Sequence, residues 1–415
     1  MPIIGRFPPF GKRFFRRARK VLGCCQFSHF WRVVTVLAGM HGRRNLDRMQ
    51  KLMGGKRTRQ AIAHFLTQTE WDAPELLRQT ALDRLRELGL KRGETVYLIV
   101  DDTQKQKRGK LMAAVSKIFL HAEKVYANGH TILGCALAYR GVVIPYRVSL
   151  WCSEENCAAS QTADDPIDRV TFQKLTELAA EGIREVGLPK GVKAITLFDS
   201  YYLCPAVIRA CADQGFRYVG VAKKNRNFAP DGRPWDKRKL RSYGANLLRR
   251  EGRMTSVRGK RYRLAERLGN LSKAGRIKLV FSRRPGETSW VALATNETRW
   301  SAHTVLSHYL FRWGIEVFFK MSKQHLGLGD YQLLRYRGIV RYLCLVLIAS
   351  LLLTHLGLQK LGAKAKTTSL LLTLPSLAQL QQVLREKLWD DVIASFESSP
   401  KHRAAARKLK QRIQR

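Results

Sequence analysis

Four carboxylates in this chain stand where packing alone does not ask for them. Asp101 and Asp102 close the apolar run "TVYLIV", Asp199 closes "KAITLF", and Glu316 lies in "YLFRWGIEVFFKMSK" with cations a turn before and a turn after it. Acids at the ends of apolar strands are partly buried, and a buried charge needs a partner. Lys and Arg would serve, and the chain carries many. A hard divalent ion would also serve, because Mg²⁺ takes carboxylate oxygens together with phosphate oxygens and water. Two such ions about 4 Å apart can activate a water and stabilise the leaving oxygen of a phosphodiester. One acid from each of two strands and a third from a facing helix would make such a site.

The third acid is Glu316, and its surroundings fit that use. Tyr309, Arg312, Glu316, Lys320 and Lys323 follow one another at steps of 3, 4, 4 and 3. Those steps place all five on one face of a helix, leaving Leu310, Gly314, Val317, Phe318 and Met321 on other faces. A solvated amphipathic helix has the same pattern. If Glu316 binds metal, Arg312, Lys320 and Lys323 lie near the scissile phosphate and can grip its neighbours, and Tyr309 can donate a hydrogen bond to another.

The elements that must position these groups are legible in outline. Residues 1 to 92 read as helical: "FSHFWRVVTVLAGM" is an apolar helix, and Gly54–Gly55 separates two shorter amphipathic ones. "DAPELLRQTALDRLRELGL" opens on Asp72 as N-cap with a Pro in its first turn. From residue 95 the order is β-β-β-α-β-α-β, antiparallel and then parallel, with Arg140–Gly141 as a hairpin turn and a polar loop carrying Asp164, Asp165 and Pro166. Residues 224 to 302 are basic and β-prone, with strands at "RYRLAERLG", "RIKLVFSRR" and "SWVALATN". Helical pattern returns at residue 301. "YLCLVLIASLLLT", about 13 residues, is too short for a membrane span, which needs about 20, and reads as a buried core helix. Residues 361 to 415 read as helical and basic.

Composition narrows the partner. In 415 residues, 75 Lys and Arg face 32 Asp and Glu, for a formal net charge of +43. The cations are spread along the whole chain, and self-repulsion on that scale calls for a polyanion, DNA or RNA before an anionic membrane. The basic N-terminus lacks the apolar core and cleavage site of a signal peptide. Eight cysteines without CxxC or Cys/His spacing fit a reduced, cytosolic protein. Cys152 and Cys157, near Glu154 and Glu155, are a remote candidate for a metal site.

"LIVDDT", "LFDSYY" and the pattern Tyr309-x2-Arg312-x3-Glu316-x6-Lys323 together resemble a DDE transposase of bacterial insertion sequences, of the class with the YREK signature. The resemblance spans about 95 to 355. It implies an α/β ribonuclease-H-like catalytic core, a mixed five-stranded sheet with flanking helices, interrupted by a β-rich insertion and flanked by helical N- and C-terminal regions. The β-β-β-α-β-α-β order read above agrees with that core. The corresponding boundaries are 1–92 for a helical DNA-binding region, 93–223 and 303–360 for the two parts of the core, 224–302 for the insertion and 361–415 for the basic C-terminal region.

Carried over residue by residue, the resemblance implies Asp102, Asp199 and Glu316 as ligands of two Mg²⁺ ions, with Mn²⁺ as a substitute. Asp102, followed by Thr103, matches the family's first Asp best. Asp101 is the alternative, since neighbours on a strand face opposite sides. Tyr309, Arg312 and Lys323 would contact phosphates of the transposon ends. Trp290, or its competitor Trp300, would stack on a flipped base, unless either serves the core. The implied partners are duplex DNA, both inverted-repeat ends and target, and a second copy of the chain paired on DNA, in the bacterial cytoplasm and without a membrane. A nuclease that cuts without joining and a catalytically silent DNA-binding descendant are the competing readings.

Overall fold

The structure, a computed structural model, describes residues 7–53, 57–109, 111–120, 123–163, 165–362 and 371–397. Gly54–Gly55, Asp164 and the basic tail beyond residue 397 lie outside them.

Five helices come first: α1 (Arg16–Val21), α2 (Cys24–Gly39), α3 (Leu46–Leu52), α4 (Arg59–Thr67) and α5 (Ala73–Glu87). Asp72 caps α5 by accepting the Glu75 amide at 2.9 Å, as its sequence indicates. Strands β1 (Thr95–Gln106), β2 (Ser116–Leu120), β3 (Val125–Tyr139) and β4 (Val142–Leu150) follow. β3 and β4 turn through Arg140 and Gly141 alone. Both have positive φ, 52° and 84°, as a two-residue hairpin loop of matching twist requires. The Arg140 guanidinium steadies the turn on the Leu88 carbonyl at 2.9 Å.

Next come α6 (Glu154–Ser160), α7 (Leu175–Arg184), β5 (Lys193–Phe198), α8 (Pro205–Asp213) and β6 (Arg217–Ala222). β5 pairs parallel with β1 on one side and with β6 on the other, while β1 pairs antiparallel with β3 and β3 with β4. The order through this part is therefore β4-β3-β1-β5-β6.

The sheet does not stop at five strands. β7 (Asn227–Pro230), β8 (Arg238–Lys239), β9 (Arg253–Val257), β10 (Lys260–Leu271), β11 (Gly275–Arg283) and β12 (Val291–Thr295) belong to the basic region. β12 pairs antiparallel with β6 from Ala292↔Ala222 to Thr295↔Val219. One continuous sheet of twelve strands results. The free edge of β6 has backbone groups to satisfy, and β12 satisfies them. The region also holds a helix that the strand reading missed, α9 (Leu240–Glu251). Leu240, Gly244, Leu247 and Leu248 form its buried face.

Helices α10 (Ala302–Tyr309) and α11 (Trp313–His325) are separated by a single 3-10 turn, Leu310–Arg312, where the spacing had indicated one helix. α12 (Tyr336–Leu361) and α13 (Leu377–Glu397) complete the chain. α12 is long and apolar enough to cross a membrane, yet 89% of its most apolar window is buried inside the protein. It packs against α2, α5, β4 and α13. Its buried Arg341 donates to the carbonyls of Leu66 and Trp71 at 3.2 and 2.9 Å.

α11 reaches the sheet because Gly134 has no side chain. A Cβ there would lie 2.5 Å from Cζ of Phe319, which is buried. Gly134→Val should push α11 off the sheet and cost about 1–3 kcal/mol by overpacking. Urea unfolding measures this, with Phe319→Ala in the Val background expected to recover part of the loss.

Candidate active site

Strand register decides which of the two adjacent acids faces α11. Asp101 pairs with Gly134 and Asp102 with Leu133. Directly paired residues point to the same face and neighbours to opposite faces. Gly134 lies under Phe319 of α11, so Asp101 faces α11 and Asp102 faces away. Side-chain contacts agree. Nη1 of Arg312 donates to Asp101 at 2.8 Å, whereas Asp102 accepts the Tyr202 hydroxyl at 2.7 Å on the other side. The structure thus places Asp101, the alternative first acid, with Arg312 and Glu316, and places Asp102, the preferred one, with Tyr202. Sequence alone cannot separate them, because the face depends on a contact with Phe319, more than two hundred residues away.

Arg312 is the hub. Its Nε bonds the Tyr309 hydroxyl at 3.1 Å, Nη1 holds Asp101, and Nη2 bonds Glu316. The 3-10 turn lets it make these contacts while α10 and α11 stay packed. Tyr309, Arg312 and Glu316 therefore do converge with a strand acid. Asp199 lies beside them: β1 and β5 run in register up to Val100↔Phe198, which sets Asp199 one residue on, next to Asp101. Its Oδ1 accepts the amides of Tyr201 and Tyr202 at 2.8 and 3.4 Å, which fixes the turn leaving β5. Lys323 is drawn to the strand as well, donating to the Gln104 carbonyl at 2.8 Å. Lys320 is exposed on the same helix.

Burial, more than any neighbour, pushes the Asp101 carboxyl up to about 7. Arg312 opposes this, and Asp102 and Asp199 add to it. Burial would lower the Arg312 guanidinium, but Tyr309, Asp101 and Glu316 hold it above its ordinary value. The two shifts pull in different senses, since a firm ion pair should lower Asp101. We take Asp101 as raised, because one buried cation is shared between two carboxylates while two more acids stand close by.

By chemistry this donor set fits a hard divalent ion: the acids offer only oxygens. As arranged, the described residues contain no group of three acidic, His or Cys side chains placed to hold one, and Arg312 stands between Asp101 and Glu316. Loading would require Arg312 to turn aside. Cys152 and Cys157 are buried together and form no such group either; burial first, then Cys157, pushes the Cys152 thiol up to about 12.

Trp290 does not present a stacking face. It is 8% exposed, edge-on to Phe281 at 5.7 Å and under Gly244 of α9. The unforeseen helix α9 covers it. Trp300 lies against His308, ring centroids 4.7 Å apart. Exposed aromatic side chains among the described residues include Trp313, 66% exposed and next to Arg312, Tyr201, 48% exposed and two residues past Asp199, and Trp235, 78% exposed in the basic region. The first two lie within quoted motifs, but their exposure depends on the helix break and on the turn after β5. Tyr202 was also missed as a partner of Asp102.

Residues 33–274 match the DDE superfamily endonuclease family. That is more than half of the chain, and the chain belongs to this family. The matched segment contains Asp101, Asp102 and Asp199 and ends before Glu316. Enzymes of this superfamily generally use divalent metal ions. No curated protein matches the chain in sequence. Among solved structures, a piggyBac transposase synaptic complex with hairpin DNA, seen by cryo-electron microscopy, is similar at 10% identity and a TM-score of 0.43. That match covers 96% of this chain and 80% of the other.

The raised Asp101 gives a pH signature in metal-free buffer. A folded carboxyl that titrates near 7, against about 4 unfolded, contributes stability that is full below pH 4 and lost as pH rises through 7. Urea unfolding with a chelator should show the wild type losing stability relative to Asp101→Asn between pH 4.5 and 7.5. A constant difference would place Asp101 at an ordinary value.

Proposed function

We propose that the chain is a DNA transposase of the YREK class of bacterial insertion sequences. The strands β4-β3-β1-β5-β6 serve as its ribonuclease-H-like core, and residues 224–302 as its insertion. The observation that carries this reading is the meeting of Asp101, Arg312 and Glu316, with Asp199 one register step beyond a paired strand end. Within an endonuclease family, three acids and two aligned cations are what cutting a phosphodiester needs. A binding protein gains nothing from acids beside phosphates.

Asp101, Asp199 and Glu316 would hold the divalent ions, Mg²⁺ or Mn²⁺. When bound, these supply Lewis-acid stabilisation of the oxygens that attack and leave phosphorus. The chain's own groups do the rest. Arg312 releases the acids and turns to a phosphate, for which its planar fork is suited. Tyr309 keeps the fork oriented. Lys323, anchored on β1, and the exposed Lys320 track the strand next to the cut. Trp313 and Tyr201 offer faces to an unpaired base. Water attacks first and frees a 3′-OH, which then attacks a second phosphodiester; both steps are in-line displacements that one site can serve. Cutting two ends in concert calls for two protomers paired on DNA.

The deciding experiment incubates the protein with duplexes carrying the inverted repeats that flank its coding sequence, plus Mg²⁺ and a target plasmid. Joined products are expected. Cleavage without joining would favour the nuclease reading. Asp101→Asn, Asp199→Asn and Glu316→Gln should lower cleavage to background and leave binding intact, since removing negative charge cannot weaken a phosphate contact electrostatically. Arg312→Ala and Lys323→Ala should weaken binding of cleaved ends and lower the salt slope by about 1 each. Equal loss of binding in all five variants would reduce the helix to a structural role. For assembly, light scattering should find monomers without DNA and pairs with cut-end duplexes; a stable dimer without DNA would rule out pairing driven by DNA.

A further inference from the structure

A second cationic feature lies away from the acids, where α1 rests against α5. A cleft of about 300 Å³ opens there, lined by Arg13, Arg16, Arg17, Lys20, Arg84 and Arg86. Asp83 and Glu87 also line it, so six cations against two acids leave a formal charge of +4. Both acids are already engaged. Arg17 grips Asp83 through Nε and Nη2, each at 2.8 Å, and Arg86 binds the same carboxylate. Glu87 accepts from His355 at 2.9 Å and pairs with Arg84 at 3.3 Å.

Arg84 points to what is missing. Its side chain is 3% exposed, and its Nε and Nη1 are buried without a hydrogen-bond partner. The rest of the guanidinium is accounted for: Nη2 pairs with Glu87, and Cζ lies 4.9 Å over the Phe14 ring. Two unpartnered donors on a buried cation carry a desolvation cost. Arg84 lines a cleft whose remaining charge is positive, and a small turn of its side chain would bring these donors to an anion held there. Nε and Nη1 lie on different edges of the guanidinium, so each can donate singly to an oxygen of a phosphate. Arg16 and Lys20, both exposed on α1, stand at the mouth, where an approaching polyanion would be drawn in.

We propose that this cleft is a phosphate-binding site, with Arg84 at its floor and Arg16 and Lys20 at its rim, and that it takes a backbone phosphate of duplex DNA outside the strand that is cut. The source of the phosphate rests on the function proposed above; the anion site itself does not. α5 packs on β4 and α12, so this contact is separate from the acids between β1, β5 and α11.

Two measurements on the full chain test it. In the first, thermal unfolding is followed with sodium pyrophosphate against sodium chloride at equal ionic strength. A dose-dependent rise in Tm specific to pyrophosphate is expected in the wild type. It should be lost in Arg84→Met, and also in Arg16→Ala/Lys20→Ala, which changes only exposed positions and so keeps the test valid if Arg84→Met fails to fold. No specific rise in the wild type would overturn the site. In the second, duplex binding is measured against salt. The rim double variant should lower the slope of log K against log salt by roughly 1 to 2. An unchanged slope alongside a retained pyrophosphate effect would overturn the DNA source and leave a site for a free phosphate compound. A wild type that binds pyrophosphate here but no duplex at all would instead overturn the proposed function.

Discussion

One guanidinium joins carboxylates that lie more than two hundred residues apart. Arg312 reaches Asp101 in the middle of β1 and Glu316 one turn along its own helix, and the local architecture serves that contact. The register of β1 against β3 turns Asp101 toward α11, and Gly134 lets α11 lie close enough to meet it. The 3-10 turn aims the fork, and Tyr309 keeps it from swinging. Acids gathered in a half-buried place repel one another and lose hydration. Without compensation their pKa values rise until they neutralise, and Asp101 is raised in that sense, by burial first and by Asp102 and Asp199 after it. A cation shared between two acids is the least that keeps the cluster together.

That charge balance bears on the proposed function, in which the same residues would hold divalent ions. Asp101 and Glu316 would hold such ions once Arg312 had turned aside, since a divalent ion would bring more positive charge than the guanidinium it replaced. The guanidinium so released lies within a helical turn of them, with its donors unspent. A phosphate arriving with the ions would meet a donor fork already at hand. The trade requires Arg312 to move and the backbone to stay, a condition that helices packed on a continuous sheet meet better than a loop would.

How far the sequence could be read follows from which interactions are local. The stripe from Tyr309 to Lys323 was legible because helical spacing depends on near neighbours, and the strands carrying the acids because apolar runs are contiguous. β5 does stop before Asp199, but β1 continues past Asp101 and Asp102 to Gln106, held there by its pairing with β3 rather than by apolar residues. Which of Asp101 and Asp102 faces α11 was not legible, since it rests on Gly134 meeting Phe319. The break at Leu310–Arg312 was hidden because a single 3-10 turn shifts angles without altering the pattern of residue types. Whether Trp290 stacks on a base or serves the core stays open in the sequence, because the helix α9 that covers it is not legible there. The α9 apolar face was masked by the arginines among its leucines. The pairing of β12 with β6 concerns strand edges, which side-chain alternation does not encode.

The twelve-stranded sheet bears on the charge as well. Had residues 224–302 hung from the core by loops, their cations could have moved apart to relieve repulsion, and DNA would have had to gather them again at an entropic cost. Pairing β12 with β6 fixes those cations relative to the acids instead. Fixed like charges make the free protein strained electrostatically, and a polyanion that neutralises several of them at once gains the whole of that repulsion without first ordering the surface. On the proposed function, cations of residues 224–302 held on a fixed frame would favour a polyanion through preorganisation, and like charge would disfavour the approach of a second copy until DNA lay between the two.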